Sequence, residues 1–142
     1  MTHTMERDEW RAFLAHGTRT GKLSTVRANG GPHVAPVWFV LDGDDVVLTT
    51  GRETVKGHNL ARDGRVAFCV DLQEPPFAFV LVQGRAELSD DPDELLAWAT
   101  RIGARYMGQE RGAEFGQRNA VPGEVLVRVR PEHVVAQADL TG

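Results

Sequence analysis

A chain of 142 residues with a net charge of -4 and a pI near 5.7 is unsuited to general nucleic-acid binding, although Arg52, Lys56, Arg62 and Arg65 could line a local basic groove. With 42% hydrophobic residues it suits one globular domain, residues 1–142, with a real core. The lone cysteine, Cys69, excludes an internal disulfide. No apolar run approaches the ~18 residues of a membrane span, and MTHTMERDEW has no signal-peptide core, so the expected compartment is the cytoplasm, away from any membrane.

Met5 to His16 places Trp10, Phe13 and Leu14 on one helical face, with Gly17 as the stop. Lys22 to Ala28 alternates and ends at Asn29-Gly30-Gly31, a hairpin turn. Pro32 to Leu41 reads as one long return strand, apolar on both faces from Val37 to Leu41. Pro36 within it calls for an edge, a bulge or a place where a ligand replaces a neighbouring strand. Val46 to Thr50 follows the Asp42-Gly43 turn, and these three strands are expected to form a meander. A short helix from Thr54 to Arg62 leads to a strand at Arg65 to Asp71. A long strand, Phe77 to Leu88, carries a bulge at Gly84.

Asp91-Pro92-Asp93-Glu94 is a helix start: a cap, a proline at the first helical position and a D-x-x-E box. Leu95, Trp98, Ile102 and Tyr106 then recur at helical spacing, and Trp98 and Tyr106 are read as core or interface. Gln109 to Gly123 reads as a loop or frayed helix. Glu124 to Arg130 alternates as a sixth strand, broken by Pro131, with His133 to Ala138 as a seventh. The pattern is mainly β (α+β): six to seven antiparallel strands in a closed or split β-barrel with peripheral helices.

Chemistry concentrates at Val46 to Asn59, VVLTTGRETVKGHN. A strand ends in Thr49 and Thr50, a glycine turn and Arg52 follow, and a helix opens with Lys56 and Asn59 three residues apart on one face. Free N–H groups, a positive dipole end and a cation make an anion cradle; a solvated strand–turn–helix corner is the alternative. Only Lys22 and Lys56 among the 16 basic residues are lysines, which marks Lys56 as a compact point charge. The aromatic strand Pro36-Val37-Trp38-Phe39 would suit the ring of a phosphate-bearing heterocycle. The five histidines lack ligand spacing, Ser24 and Ser89 lack a nucleophile elbow, and no G-x-G-x-x-G follows a strand. Zinc, serine-hydrolase and Rossmann chemistry are thereby disfavoured, no catalytic acid–base set stands out, and no metal site is expected.

From about Leu23 to Leu140 the chain resembles the pyridoxamine-phosphate-oxidase-like split β-barrel flavoproteins, and within them the actinobacterial branch using the deazaflavin coenzyme F-420. The resemblance rests on K-x-x-N (Lys56, Asn59) after TTGRET and before LARDGRVA, on HVAPVWF after an N-G turn, and on VQGRAEL before an acidic capping run. It implies a homodimer with cofactor sites at the interface. Ala35, Pro36, Val37, Trp38 and Phe39 would flank the deazaflavin through the backbone. Thr49 and Thr50 would meet the ring edge or phosphate. Arg52, Lys56 and Asn59 would hold the phosphate, and Phe77 of the partner would pack near the ring. Hydride transfer to a small unsaturated molecule (a tetrapyrrole, enone or quinone) is the implied activity. The family's fifth-strand glutamine position holds Phe79, and VRVRPEHVVAQADL lacks the Arg-x-His grip on vitamin B6 phosphate. FMN in place of F-420, or a non-catalytic carrier of flavin, haem or fatty acid, are the alternatives.

Overall fold

A computed structural model describes residues Met1–Gly142. Eight antiparallel strands and four α-helices follow in the order β1 (His3–Thr4), α1 (Arg7–Ala15), β2 (Gly21–Val26), β3 (Pro32–Val37), β4 (Val40–Asp42), β5 (Asp45–Gly51), α2 (Val55–Arg62), β6 (Arg65–Leu72), β7 (Ala78–Ser89), α3 (Pro92–Met107), a short 3-10 turn, α4 (Gly112–Asn119) and β8 (Glu124–Ala138). The strands lie in the order β3-β2-β6-β7-β8-β5-β4, with β1 added to β8. No ladder joins β3 to β4, so the sheet is not a closed barrel. No helix is long and apolar enough to cross a membrane.

Two expectations are corrected. Pro32 to Leu41 is two strands, not one. The chain bends at Trp38–Phe39, so that β3 ends one edge of the sheet and β4 the other. The expected meander therefore does not form: β2 pairs with β3 and β6, whereas β5 pairs with β4 and β8. Pro36 lies on the outer strand, where a missing N–H costs no ladder bond on the open side. Second, Pro131 does not end a strand. β8 runs unbroken for 15 residues because Glu132 is looped out at a bulge opposite Gln83 and Gly84. A side chain on Gly84 would begin 2.1 Å from the Arg130 carbonyl oxygen, so only glycine lets the two backbones meet. Of the two readings of Gln109 to Gly123, loop or frayed helix, the helix forms: α4 packs on α3.

One core lies inside the curved sheet. Leu14 and Trp10 of α1 and Leu60 of α2 meet Leu23, Phe68, Val80, Val127 and Phe39, whose ring stands edge-on to Phe68 at 4.8 Å. On the other side of β5 and β8, Leu95 and the half-buried Trp98 of α3 cover Val47 and Leu126. A third surface has no cover. The row Pro36, Lys22, Cys69, Leu81 and Val135 runs side by side across β3, β2, β6, β7 and β8, and belongs to neither core.

Candidate cofactor-binding site

The cradle forms where β5 stops. Thr54 caps α2: its hydroxyl oxygen accepts the Gly57 N–H at 3.0 Å and donates its proton to the Gly51 carbonyl at 2.8 Å. With that proton committed, the Thr50 hydroxyl, 3.2 Å away, is the donor of their pair. Gly57 is forced by the same close fit, since a Cβ there would lie 2.2 Å from the Gly51 oxygen and 2.8 Å from that of Arg52. The Arg52 N–H binds Gly123 at 2.7 Å and so ties the turn to the approach to β8. The first two N–H groups of α2, on Val55 and Lys56, find no acceptor in the chain. They are the open end of the cradle, with the helix dipole behind them.

The expected cations divide. Lys56 is half-buried and forms no ion pair, while its neighbours pair elsewhere: Arg52 lies 3.4 Å from Asp90 and His58 3.4 Å from Glu53. Asn59 is only 4% exposed and is occupied by the fold. Its amide donates to the Thr25 hydroxyl at 3.0 Å, and its oxygen accepts from Arg62, which also reaches the Val26 carbonyl. Asn59 thus pins α2 to β2, and of the K-x-x-N pair the ammonium is the group left free. Beside the cradle a cavity of about 380 Å3 is lined by Arg52, Asp90, Leu95, Val121 and Glu124.

Thr49 is half-buried on the face opposite Thr50, the side that carries Val47 and α3. Val37 and Phe39 point into the core, and Ala35 and Pro36 lie on the edge strand. The Trp38 indole turns away to stack on Tyr106 at 4.9 Å, with Phe115 of α4 at 5.4 Å. Phe77 adopts a left-handed backbone (φ 57°) at the entry to β7. That is the far end of the strand from the cradle: Ser89, which closes β7, pairs with Leu126, next to the partners of Thr50 and Gly51. Twelve residues of strand span roughly 35–40 Å. One protomer therefore does not bring Phe77 to Lys56.

A family model described as pyridoxamine 5'-phosphate oxidase matches residues 7–138. The chain belongs to this family. A crystal structure of a conserved hypothetical protein from Mycobacterium tuberculosis is similar over 95% of this chain and 86% of its own, with a TM-score of 0.83 and 28% identity. A solved structure named as an F-420 reductase covers 87% of this chain and 94% of its own, with a TM-score of 0.68 and 26% identity. A 5a,11a-dehydrotetracycline/5a,11a-dehydrooxytetracycline reductase of Streptomyces rimosus is 44% identical over 55 residues, 36% of this chain. The match spans 39% of that relative's length.

In this member of the pyridoxamine 5'-phosphate oxidase family, Arg105, which sequence reasoning missed, and Tyr106, which it read as core or interface, hold the Trp38–Phe39 bend. The Arg105 guanidinium donates to the carbonyls of Phe39 and Leu14, both at 2.7 Å, and of Gly17 at 2.9 Å. Burial lowers its pKa from the ordinary arginine value. The Tyr106 hydroxyl accepts the Phe39 N–H at 3.3 Å and donates to the Arg19 carbonyl at 2.9 Å. Burial raises the Tyr106 pKa, against a smaller opposing effect of the Phe39 N–H. Helical spacing identified Tyr106 as a packing residue; its partners lie 67 and 87 positions away, beyond any local pattern.

Proposed function

We propose that the protein is a reductase that holds coenzyme F-420 by its phosphate at the start of α2, at the interface of a homodimer. Its substrate class is an unsaturated small molecule: a tetrapyrrole, an enone or a quinone. The observation that carries this is the cradle itself: two free N–H groups and an unpaired ammonium, behind a turn that admits only glycine at Gly57. The names of an F-420 reductase and of a dehydrotetracycline reductase among similar proteins support the reading.

Each residue then has a task. The N–H groups of Val55 and Lys56 and the Lys56 ammonium bind the anion. Asn59 and Thr54 fix the helix that presents them. The backbone of Ala35 to Val37, on the edge strand β3, supports the ring, and Arg105 with Tyr106 holds the bend that follows. Phe77 of the partner closes the site, because its own cradle is a strand length away. When bound, the deazaflavin supplies a hydride. The protein's contribution is position: acceptor and donor held within ~3.5 Å.

Titrating the pure protein with F-420 and with FMN, read by fluorescence, tests this. F-420 is expected to bind, and Lys56→Ala to weaken it at least ~10-fold, about 1.4 kcal/mol, within the range of one charged hydrogen bond. Tight FMN binding without F-420 binding overturns the coenzyme; an unchanged Lys56→Ala affinity overturns the anchor.

A further inference from the structure

The cradle lies toward one end of β7, and a polar cavity lies at the other. It measures about 650 Å3 and opens between the segment His16–Thr20, which joins α1 to β2, and the residues Asp71–Glu74, where β6 ends. A cavity of this size accepts a drug-sized molecule. Leu72 is its one apolar side chain, so it suits a polar group and not a bare ring. One wall is fixed by α3: Arg105 donates to the Gly17 carbonyl and Tyr106 to the Arg19 carbonyl, both at 2.9 Å. The charges around the cavity do not cancel. Lys22 lies 3.6 Å from Asp71, and that pair neutralises itself. Glu74 is exposed, and water screens it. The half-buried Arg19 has no carboxylate partner. Its Nη2 donates to the Phe13 carbonyl at 3.2 Å, its guanidinium stacks on the Phe13 ring at 4.1 Å, and Nη1, buried, has no acceptor at all. A buried guanidinium nitrogen without an acceptor costs stability, and an anion is the group that satisfies it best.

Two features tie this cavity to the two-chain site. The Phe77 N–H donates to the Glu74 carbonyl at 2.8 Å, so the loop that lines the cavity also carries Phe77. Lys22, in the lining, is also part of the uncovered row across the sheet. We propose that the cavity is the acceptor subsite of the partner's cradle, and that Arg19 is a specificity-determining residue that binds a carboxylate, or a comparable anion, on the unsaturated substrate. The inference deepens the reading above and rests on its dimeric coenzyme site. Where Phe77 of one protomer closes its partner's site, the cavity beside Phe77 serves the same ring. The unsaturated part of the acceptor lies by Phe77, and its anionic appendage enters the polar cavity. Rotation about the last side-chain bonds of Arg19 presents Nη1 to that appendage. Neutral analogues of the same shape leave the guanidinium unsatisfied and are disfavoured.

Fluorescence titration with anilinonaphthalene sulfonate and with its neutral parent, phenylnaphthylamine, tests this without turnover. The dyes share their rings, and the sulfonate stands in for the carboxylate. The sulfonate is expected to bind wild type at least ~10-fold tighter than the neutral dye and to lose that advantage in Arg19→Gln. It should keep part of it in Arg19→Lys, which retains the charge without the fork, and all of it in Lys56→Ala. F-420 is expected to bind wild type and Arg19→Gln equally, which also shows the variant folded, and to leave the dye bound. No sulfonate preference in wild type, or an undiminished one in Arg19→Gln, overturns the role of Arg19. A preference lost in Lys56→Ala, or displacement of the dye by F-420, gives the anion to the coenzyme site and overturns the acceptor subsite. If F-420 fails to bind while the sulfonate preference still depends on Arg19, the coenzyme reading falls and takes the acceptor role with it, but not the anion pocket.

Discussion

Lys56 and Asn59 share a helical face, yet the structure gives them different work, and the difference is measurable. Asn59 is buried, and its removal takes the donor from the Thr25 hydroxyl and leaves the Arg62 guanidinium with the Val26 carbonyl alone. Asn59→Ala is expected to cost about 1–3 kcal/mol of stability, the scale of an unsatisfied buried group. Its effect on cofactor affinity should be small beside that of Lys56→Ala. Lys56→Ala should do the reverse, leaving the melting temperature within about a degree, as a half-exposed cation without an ion pair has little stability to lose. Thermal melts and cofactor titrations on both variants decide this; a stable Asn59→Ala with ~10-fold weaker binding would return the amide to the ligand. Sequence spacing brought the two residues together correctly. It was silent on burial, because the hydroxyl that claims Asn59 sits 34 positions away on β2.

At the scale of elements, most strands and helix starts were legible because their signals are local. The Gly84 bulge, the Asp91 cap and the Thr54 to Arg62 helix depend on alternation, caps and turns within a few residues. Asp91 does accept the Asp93 N–H, although Glu94 takes a bond from Ser89 instead of closing the box. The failures share one cause. The Trp38–Phe39 bend is held by α3, and Pro131 is tolerated because of Gly84 on another strand. α4, left open between loop and frayed helix, is built on glycines that disfavour helices in isolation. Gly112 and Gly116 are there for contact: a side chain on Gly116 would begin 2.1 Å from the Thr100 hydroxyl and 3.1 Å from its Cα. Gly116→Val should therefore lift α4 from α3 and leave the sheet folded. Hydrogen exchange should accelerate across residues 112–119, and tryptophan emission should shift as Phe115 leaves Trp38. Protection of α4 equal to wild type would show that the close approach is not what holds it.

For the whole molecule the uncovered sheet face and the length of β7 bear on the same question. Cys69, Leu81 and Val135 are side by side in the ladders, half-exposed, and outside both cores. An apolar row without a covering helix is the kind of surface a second copy buries. Phe77 and the cradle lie toward opposite ends of β7, so the proposed site, if it used both, would take them from two chains. The interface and the site then stand or fall together. Leu81→Glu places a charge in the centre of the row without entering either core, so the protomer should keep its fold. Light scattering should give twice 15.6 kDa for wild type and 15.6 kDa for the variant. Far-ultraviolet dichroism should be unchanged, because the substitution falls outside the packed interior. F-420 affinity should fall at least ~10-fold in the monomer, since the cradle keeps its cations but loses the partner's Phe77. A wild type that scatters as a monomer, or a monomeric Leu81→Glu that binds F-420 as tightly as wild type, would confine the site to one chain and remove Phe77 from it.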